Sequence, residues 1–193
     1  MSWYKKAQLA EALPYFEEFK DYGEYVPNEE KLTNKLSQMG LSLGEEIGRG
    51  DSGVAFLLSN GDILKITTNN QEGEVAASLV GKNIPSIIDI RDVWKEGDLY
   101  YIIEEKLEKS TLLLDDIVTK LSKILDISKC YSPQCALDIL PKNSFFNSLS
   151  EGIKNSLTSY ISHLSSLPIK IYDFLNPANI GIKDGNIKFF DIT

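Results

Sequence analysis

The sequence predicts an α+β protein of two lobes, and three observations carry that expectation. Short apolar strands separated by turn signals gather between residues 43 and 105. Helical periodicity takes over after residue 105. A last short hairpin closes the chain behind a polar loop. Strands segregated to one half and helices to the other are the pattern of an α+β fold rather than of an alternating α/β one.

Composition sets the outer bounds. A chain of 193 residues suits one domain, or one domain of two lobes. Such a length buries roughly 70% of the unfolded surface. With 42% apolar and 25% charged residues, wholesale disorder is excluded. No apolar run approaches the ~20 residues that span a bilayer, so no membrane partner is expected. The start, Met1-Ser2-Trp3-Tyr4-Lys5-Lys6, lacks the apolar centre of a secretory signal, which predicts a cytoplasmic protein. Aspartate and glutamate number 28 against 20 lysines and arginines, and no cationic run appears. Nucleic-acid binding is therefore not expected, because neutralising phosphates needs clustered cations. Cys130 and Cys135 are expected as free thiols, since a disulfide framework or cysteine-rich metal site needs more. His163 stands alone on a helical pattern, and zinc needs three or four ligands, so it reads as a packed or surface histidine.

Residues 1–40 read as a helical preface. Asn28 can cap a helix whose first turn carries Glu29 and Glu30, with Leu32, Leu36 and Met39 on one face and Gly40 at its end. Residues 9–25 are aromatic-rich and broken by Pro14, and are expected to pack on the main body. From Leu43 the character changes. A glycine-rich turn over 46–53 leads into a strand at 54–58, the Asn60-Gly61 turn, and a returning strand at 63–67. Glu72, Val75, Ala76 and Leu79 share one face of a helix over 70–80. Strands are predicted at 87–94 and 99–105, joined by Lys95-Glu96-Gly97-Asp98. Next comes a helix over 115–125 with Ile117, Leu121, Ile124 and Leu125 on one face. Pro133 and Pro141 bound a loop region. Leu149, Ile153, Leu157, Ile161 and Leu164 then mark an amphipathic helix that Pro168 stops. A polar loop over 173–179 precedes the hairpin 180–190 with its turn Lys183-Asp184-Gly185-Asn186.

Gly48-x-Gly50-x-x-Gly53 has the spacing of a dinucleotide-binding turn, but that motif sits between a strand and a helix. Here a strand and a hairpin follow. A glycine turn between two strands can instead fold over phosphates, offering backbone N–H groups unobstructed by Cβ atoms; the bland alternative is a flexible hairpin. Lys65 is the only charge in Ile63-Leu64-Lys65-Ile66. It either faces solvent or pairs with a carboxylate on the following helix, and such a pair can hold an ammonium against phosphate oxygens. Glu72 is preferred over Glu74 for that role, because its helical neighbours are apolar. Asn176-Pro177 alone reads as a turn, since Asp and Asn often bond their own backbone.

Taken in order, these motifs resemble the protein-kinase fold, above all its short, divergent bacterial and phage-type members and the aminoglycoside-phosphotransferase-like relatives. Gly48, Gly50 and Gly53 resemble the phosphate-covering loop, Lys65 the lysine of the third strand, and Glu72 its helix partner. Glu105-Lys106-Leu107 resembles the hinge that receives adenine, with Glu104 at the gatekeeper place. Asp173 with Pro177 and Asn179 resembles the catalytic loop, and Asp191 the metal-binding aspartate. The likeness covers residues 43–193. It implies a minimal two-lobed fold: a helical extension at 1–40, an N-lobe at 41–105 with five strands and one helix, and a truncated C-lobe at 106–193. It further implies ATP and Mg²⁺ as ligands. Gly48, Gly50, Gly53, Lys65, Glu72, Glu105 and Leu107 would hold ATP, Asn179 and Asp191 the metal, and Asp173 would be the catalytic base.

The departures are specific. The family's His-Arg-Asp reads Ile171-Tyr172-Asp173, and Asp173 precedes Asn179 by six residues where the family has five. Asp-Phe-Gly reads Asp191-Ile192-Thr193, and the sequence stops before the segment that seats a protein substrate. The implied activity is ATP-dependent phosphoryl transfer to a hydroxyl of a protein or small molecule. The alternative is a catalytically inactive pseudokinase serving as a nucleotide-binding or interaction module.

Overall fold

Two groups of elements share the chain, and the route between them is not a single crossing. The computed structural model describes residues 28–50, 53–125, 130, 132–167 and 174–190. The first unit holds the described residues up to Gly81 together with Ile90–Lys106; the second holds Lys82–Asp89 together with those from Leu107 onward. The architecture is α+β, with one five-stranded antiparallel sheet, one three-stranded sheet and several helices. The aromatic-rich stretch 9–25 lies outside the described residues.

In the first unit, helix α1 (Glu29–Gln38) starts where Asn28 accepts a hydrogen bond from the Lys31 backbone N–H, and Gly40 leaves it at φ +74°. Leu32 and Leu36 are buried; Met39, past the last turn, is exposed rather than on that face. Strands β1 (Leu43–Gly50), β2 (Gly53–Leu58) and β3 (Ile63–Thr67) form a meander. Helix α2 (Asn70–Leu79), capped by Asn69, follows, then β4 (Ile90–Glu96) and β5 (Leu99–Glu104). The strand order is β1-β2-β3-β5-β4, so β5 lies between β3 and β4.

The register sorts the sheet's two faces. Val54 opposes Ile66, which opposes Tyr101, and Phe56, Leu64 and Ile103 form the next row. These side chains join Leu32 and Leu36 of α1 in one core cluster. Ala55, Lys65 and Ile102 form a row on the opposite face, where Thr67 and Tyr100 lie beside α2. The sheet is thus covered on both faces, and burying each leucine of α1 contributes about 1.5–3 kcal/mol.

The strand expected from residue 87 begins instead at Ile90. Ser86 to Ile88 are taken by the second unit: the Phe189 N–H donates to Ser86 O, and the Ile88 N–H donates to Phe189 O, each at 3.0 Å. Ile87 forms an isolated parallel bridge with Phe189.

In the second unit, strand β6 (Glu108–Lys109), not expected from sequence, pairs with β7 (Ile180–Lys183), which pairs with β8 (Asn186–Phe189). Asp184 and Gly185 take φ of +50° and +78° in the β7–β8 turn, the two left-handed positions that a two-residue hairpin of matching twist requires. Helix α3 (Leu112–Leu125) starts earlier than periodicity suggests, because the Thr111 hydroxyl caps it by accepting from the Leu114 N–H. Its inward face is Leu114, Ile117, Val118, Leu121 and Leu125; Ile124, expected inside, is exposed.

The stretch expected as a loop between Pro133 and Pro141 is helical. Helix α4 (Pro133–Ile139) uses Pro133 in its first turn and Ser132 as cap, and α5 (Ser144–Ser148) is capped by Asn143. Helix α6 (Glu151–Ser165) buries Leu157, Tyr160, Ile161 and Leu164. Cys130 and Cys135, expected as free thiols, are joined in a disulfide. The start of α4 brings their Cα atoms to 5.6 Å, within the span a disulfide bridges. Among the described residues, no helix is long and apolar enough to cross a membrane.

Candidate functional site

Lys65 sits in the middle of β3, between buried Leu64 and Ile66, so strand alternation sends its side chain to the other face. There its ammonium donates to Glu72 Oε1 in the first turn of α2. The helix start fixes this meeting. Thr67 Oγ1 accepts from the Asn69 N–H at 3.1 Å, and Asn69 Oδ1 accepts from the Glu72 N–H at 3.2 Å. A carboxylate in the first helical turn also faces the positive end of the helix dipole. Glu72 is 4% exposed, whereas Glu74 is on the solvent side, so Glu72 is the partner of Lys65. The Lys65 side chain keeps a quarter of its surface exposed.

The three glycines of the β1–β2 turn differ. A Cβ on Gly48 or Gly50 would meet open space, so backbone there is approachable. A Cβ on Gly53 would strike the Ile66 carbonyl, so this glycine serves close packing of β2 on β3. Strand β1 carries two register shifts, between Leu43 and Glu46 and between Glu46 and Gly48. The second changes the parity of the strand, so Glu46 and Arg49, opposite Phe56 and Val54, share a face. Their fork of two hydrogen bonds, at 3.0 and 2.7 Å, braces the approach to the turn. Residues 51–52 lie outside the described residues.

Glu104 ends β5, Glu105 follows it, and both are buried. The chain passes from the first unit to the second between Lys106 and Leu107, and the Leu107 side chain fills the place a Cβ on Gly181 would take. Asn179 closes a short 3₁₀ turn, Pro177–Asn179. Its N–H donates to Asn176 O, and its carbonyl accepts from the Phe190 N–H, each at 3.0 Å. The structure thus brings Lys65 and Glu72 into contact; Gly48, Gly50, Gly53 and Glu105 belong to the same first unit, and Leu107 and Asn179 to the second. Asp173 and Asp191 lie outside the described residues.

Among the described residues, no three His, Cys, Asp or Glu side chains form a metal-holding group. The donors singled out from sequence, an amide oxygen at Asn179 and a carboxylate at Asp191, are the hard oxygen type that suits Mg²⁺. Sequence reasoning missed two groups at the start of α3. Ser110 Oγ and Asp115 Oδ1 are buried without a hydrogen-bond partner. An aspartate in the first turn of a helix ordinarily reads as a helix-start residue, which hides such a site in the sequence. His163, half-buried on α6, shares a 2.9 Å hydrogen bond with the Ser86 hydroxyl, in keeping with a packed histidine. Compared with known families and with the curated proteins, the chain matches no family model and no curated protein.

Proposed function

We propose that this chain is a minimal kinase-like phosphotransferase that uses ATP and Mg²⁺ to phosphorylate a hydroxyl on a protein or small molecule. The observation that carries the reading is the Lys65–Glu72 ion pair: a buried carboxylate orients an ammonium on the strand that pairs with the glycine turn. In that role Lys65 holds phosphate oxygens, while the backbone at Gly48 and Gly50 covers them. Glu105 and Leu107 take the base. Asn179 and Asp191 hold Mg²⁺, which when bound neutralises phosphate charge. Asp173 orients the acceptor hydroxyl and accepts its proton as the oxygen attacks the γ-phosphorus and ADP departs. We place the reaction in a cytoplasm.

The test is thermal denaturation with and without MgATP, followed by a γ-phosphate transfer assay. At 100-fold excess over its dissociation constant, a ligand selective for the native state adds about 2.7 kcal/mol. For a chain of this size that is roughly 5–10 °C in Tm. No shift at millimolar MgATP overturns the reading. Asp173→Asn should abolish transfer and spare ATP binding, and Asp191→Asn should weaken binding only when Mg²⁺ is present. The second reading, an inactive pseudokinase, is favoured by the six-residue spacing from Asp173 to Asn179. Clear ATP binding with no transfer and no hydrolysis selects it.

A further inference from the structure

Tyr160 is the polar exception on the buried face of α6. Its helical neighbours there, Leu157, Ile161 and Leu164, are aliphatic, and Tyr160 itself is 1% exposed. A phenylalanine would fill the same volume. The hydroxyl is costly to bury unless it is bonded. It donates to the Phe174 carbonyl at 2.8 Å, in a buried hydrogen bond.

That carbonyl lies one residue after Asp173 and begins the turn that leads to Asn179. Phe174 and Leu175 are both buried, which anchors the same end by packing. The turn itself is held by the Asn176 side chain, which accepts from the Ala178 N–H at 3.0 Å. Its far end is held by the Phe190 N–H on the Asn179 carbonyl. The segment from Phe174 to Asn179 is therefore clamped at its exit by Phe190, just past β8, and at its entry by the Tyr160 phenol.

We infer that Tyr160 is a positioning residue: its hydroxyl fixes the backbone of the turn from Phe174 to Asn179, and so sets where Asn179 presents its oxygen to Mg²⁺. This rests on the phosphotransfer reading above. Tyr160 touches no substrate in this role and acts through the Phe174 carbonyl.

Tyr160→Phe in the full chain tests it, because the ring and its packing remain. One net hydrogen bond corresponds to about 3–10-fold in an equilibrium. Amide exchange at Ala178 and Asn179 should quicken by about 3–10-fold. ATP affinity measured in EDTA should stay within about twofold, while the gain in affinity on adding Mg²⁺ should shrink by about 3–10-fold. The kcat of ATP hydrolysis, which needs no acceptor, should fall with little change in KM. A variant that matches the parent in loop exchange and in the Mg²⁺ gain overturns the role of Tyr160 alone. A uniform loss of stability and of metal-free binding makes Tyr160 merely structural and also overturns it. A parent chain that binds no ATP overturns the phosphotransfer reading and takes the role of Tyr160 with it.

Discussion

Gly73 on α2 packs against the ring of Tyr100 on β5, and a Cβ at residue 73 would collide with the ring carbons. Lys95 covers the same ring, with its ammonium 4.6 Å from the centroid, and donates to Asn70 at 2.9 Å. Residue 73 therefore sets how closely α2 approaches the sheet, and its neighbour Glu72 reaches Lys65 because of that approach.

Glycine inside a helix normally costs about 0.5–1 kcal/mol relative to alanine. At residue 73 the sign should reverse. Gly73→Ala should destabilise by about 1–3 kcal/mol, because an added methyl must displace a buried ring. Urea denaturation of the variant checks this; a gain in stability would show that α2 can shift without strain.

Lys65→Met should weaken MgATP binding and also lower stability by about 1–3 kcal/mol, since it leaves the buried Glu72 carboxylate without its ion-pair partner. Glu72→Gln in the Lys65→Met background should recover part of that loss. The double-mutant cycle should give a coupling of about 0.5–3 kcal/mol. Glu74→Gln, on the exposed side, should be neutral. Coupling of Lys65 to Glu74 rather than Glu72 would contradict the geometry.

Helix α1 is part of the core of the first unit, not an appendage. Leu36 is 1% exposed between α1 and the sheet. Leu36→Ala should cost about 2–5 kcal/mol, read as a lower midpoint in denaturant with an unchanged slope. An effect under about 0.5 kcal/mol, the range of surface substitutions, would mean that α1 packs loosely.

Tyr101 stacks on Trp94, with ring centroids 4.9 Å apart, and its hydroxyl is pushed up to about 12 by burial and then by the nearby Glu96 carboxylate. The folded chain thus holds this proton more tightly than the unfolded chain, whose tyrosines titrate near the ordinary value of about 10. The resulting stability is fully present below pH ~10 and is lost as pH rises from about 10 to 12. A shift of that size corresponds to roughly 2–3 kcal/mol. Denaturation at pH 9 and at pH 11.5 should show the parent losing more stability than Tyr101→Phe. Equal losses in the two would remove Tyr101 from the alkaline transition.

Elements whose signals are local were legible. Asn28 and Asn69 bond to N–H groups three residues ahead, Asn60-Gly61 and Asp184-Gly185 turn the chain at hairpins, and Lys65 stands out as one charge between apolar neighbours. The region from Pro133 to Pro141 misread because proline at a helix start looks like a loop boundary until its Ser132 cap is seen. The pairing of Cys130 with Cys135 misread for a similar reason: two cysteines form no framework, yet a helix start brought them within reach.

What the sequence alone determined is the chemistry that acts within a few residues: caps, turns, strand alternation and the identity of the charged side chains. The tertiary structure alone decided three things. The closeness of α2 to the sheet, through which the Glu72 expected from sequence touches Lys65, is set by Gly73 against Tyr100. Residues 86–88 leave the strand to bond with Phe189. The Tyr160 hydroxyl finds the Phe174 carbonyl. Each depends on the fit between segments distant in sequence, where a buried polar group or an absent Cβ acquires meaning only from what packs against it.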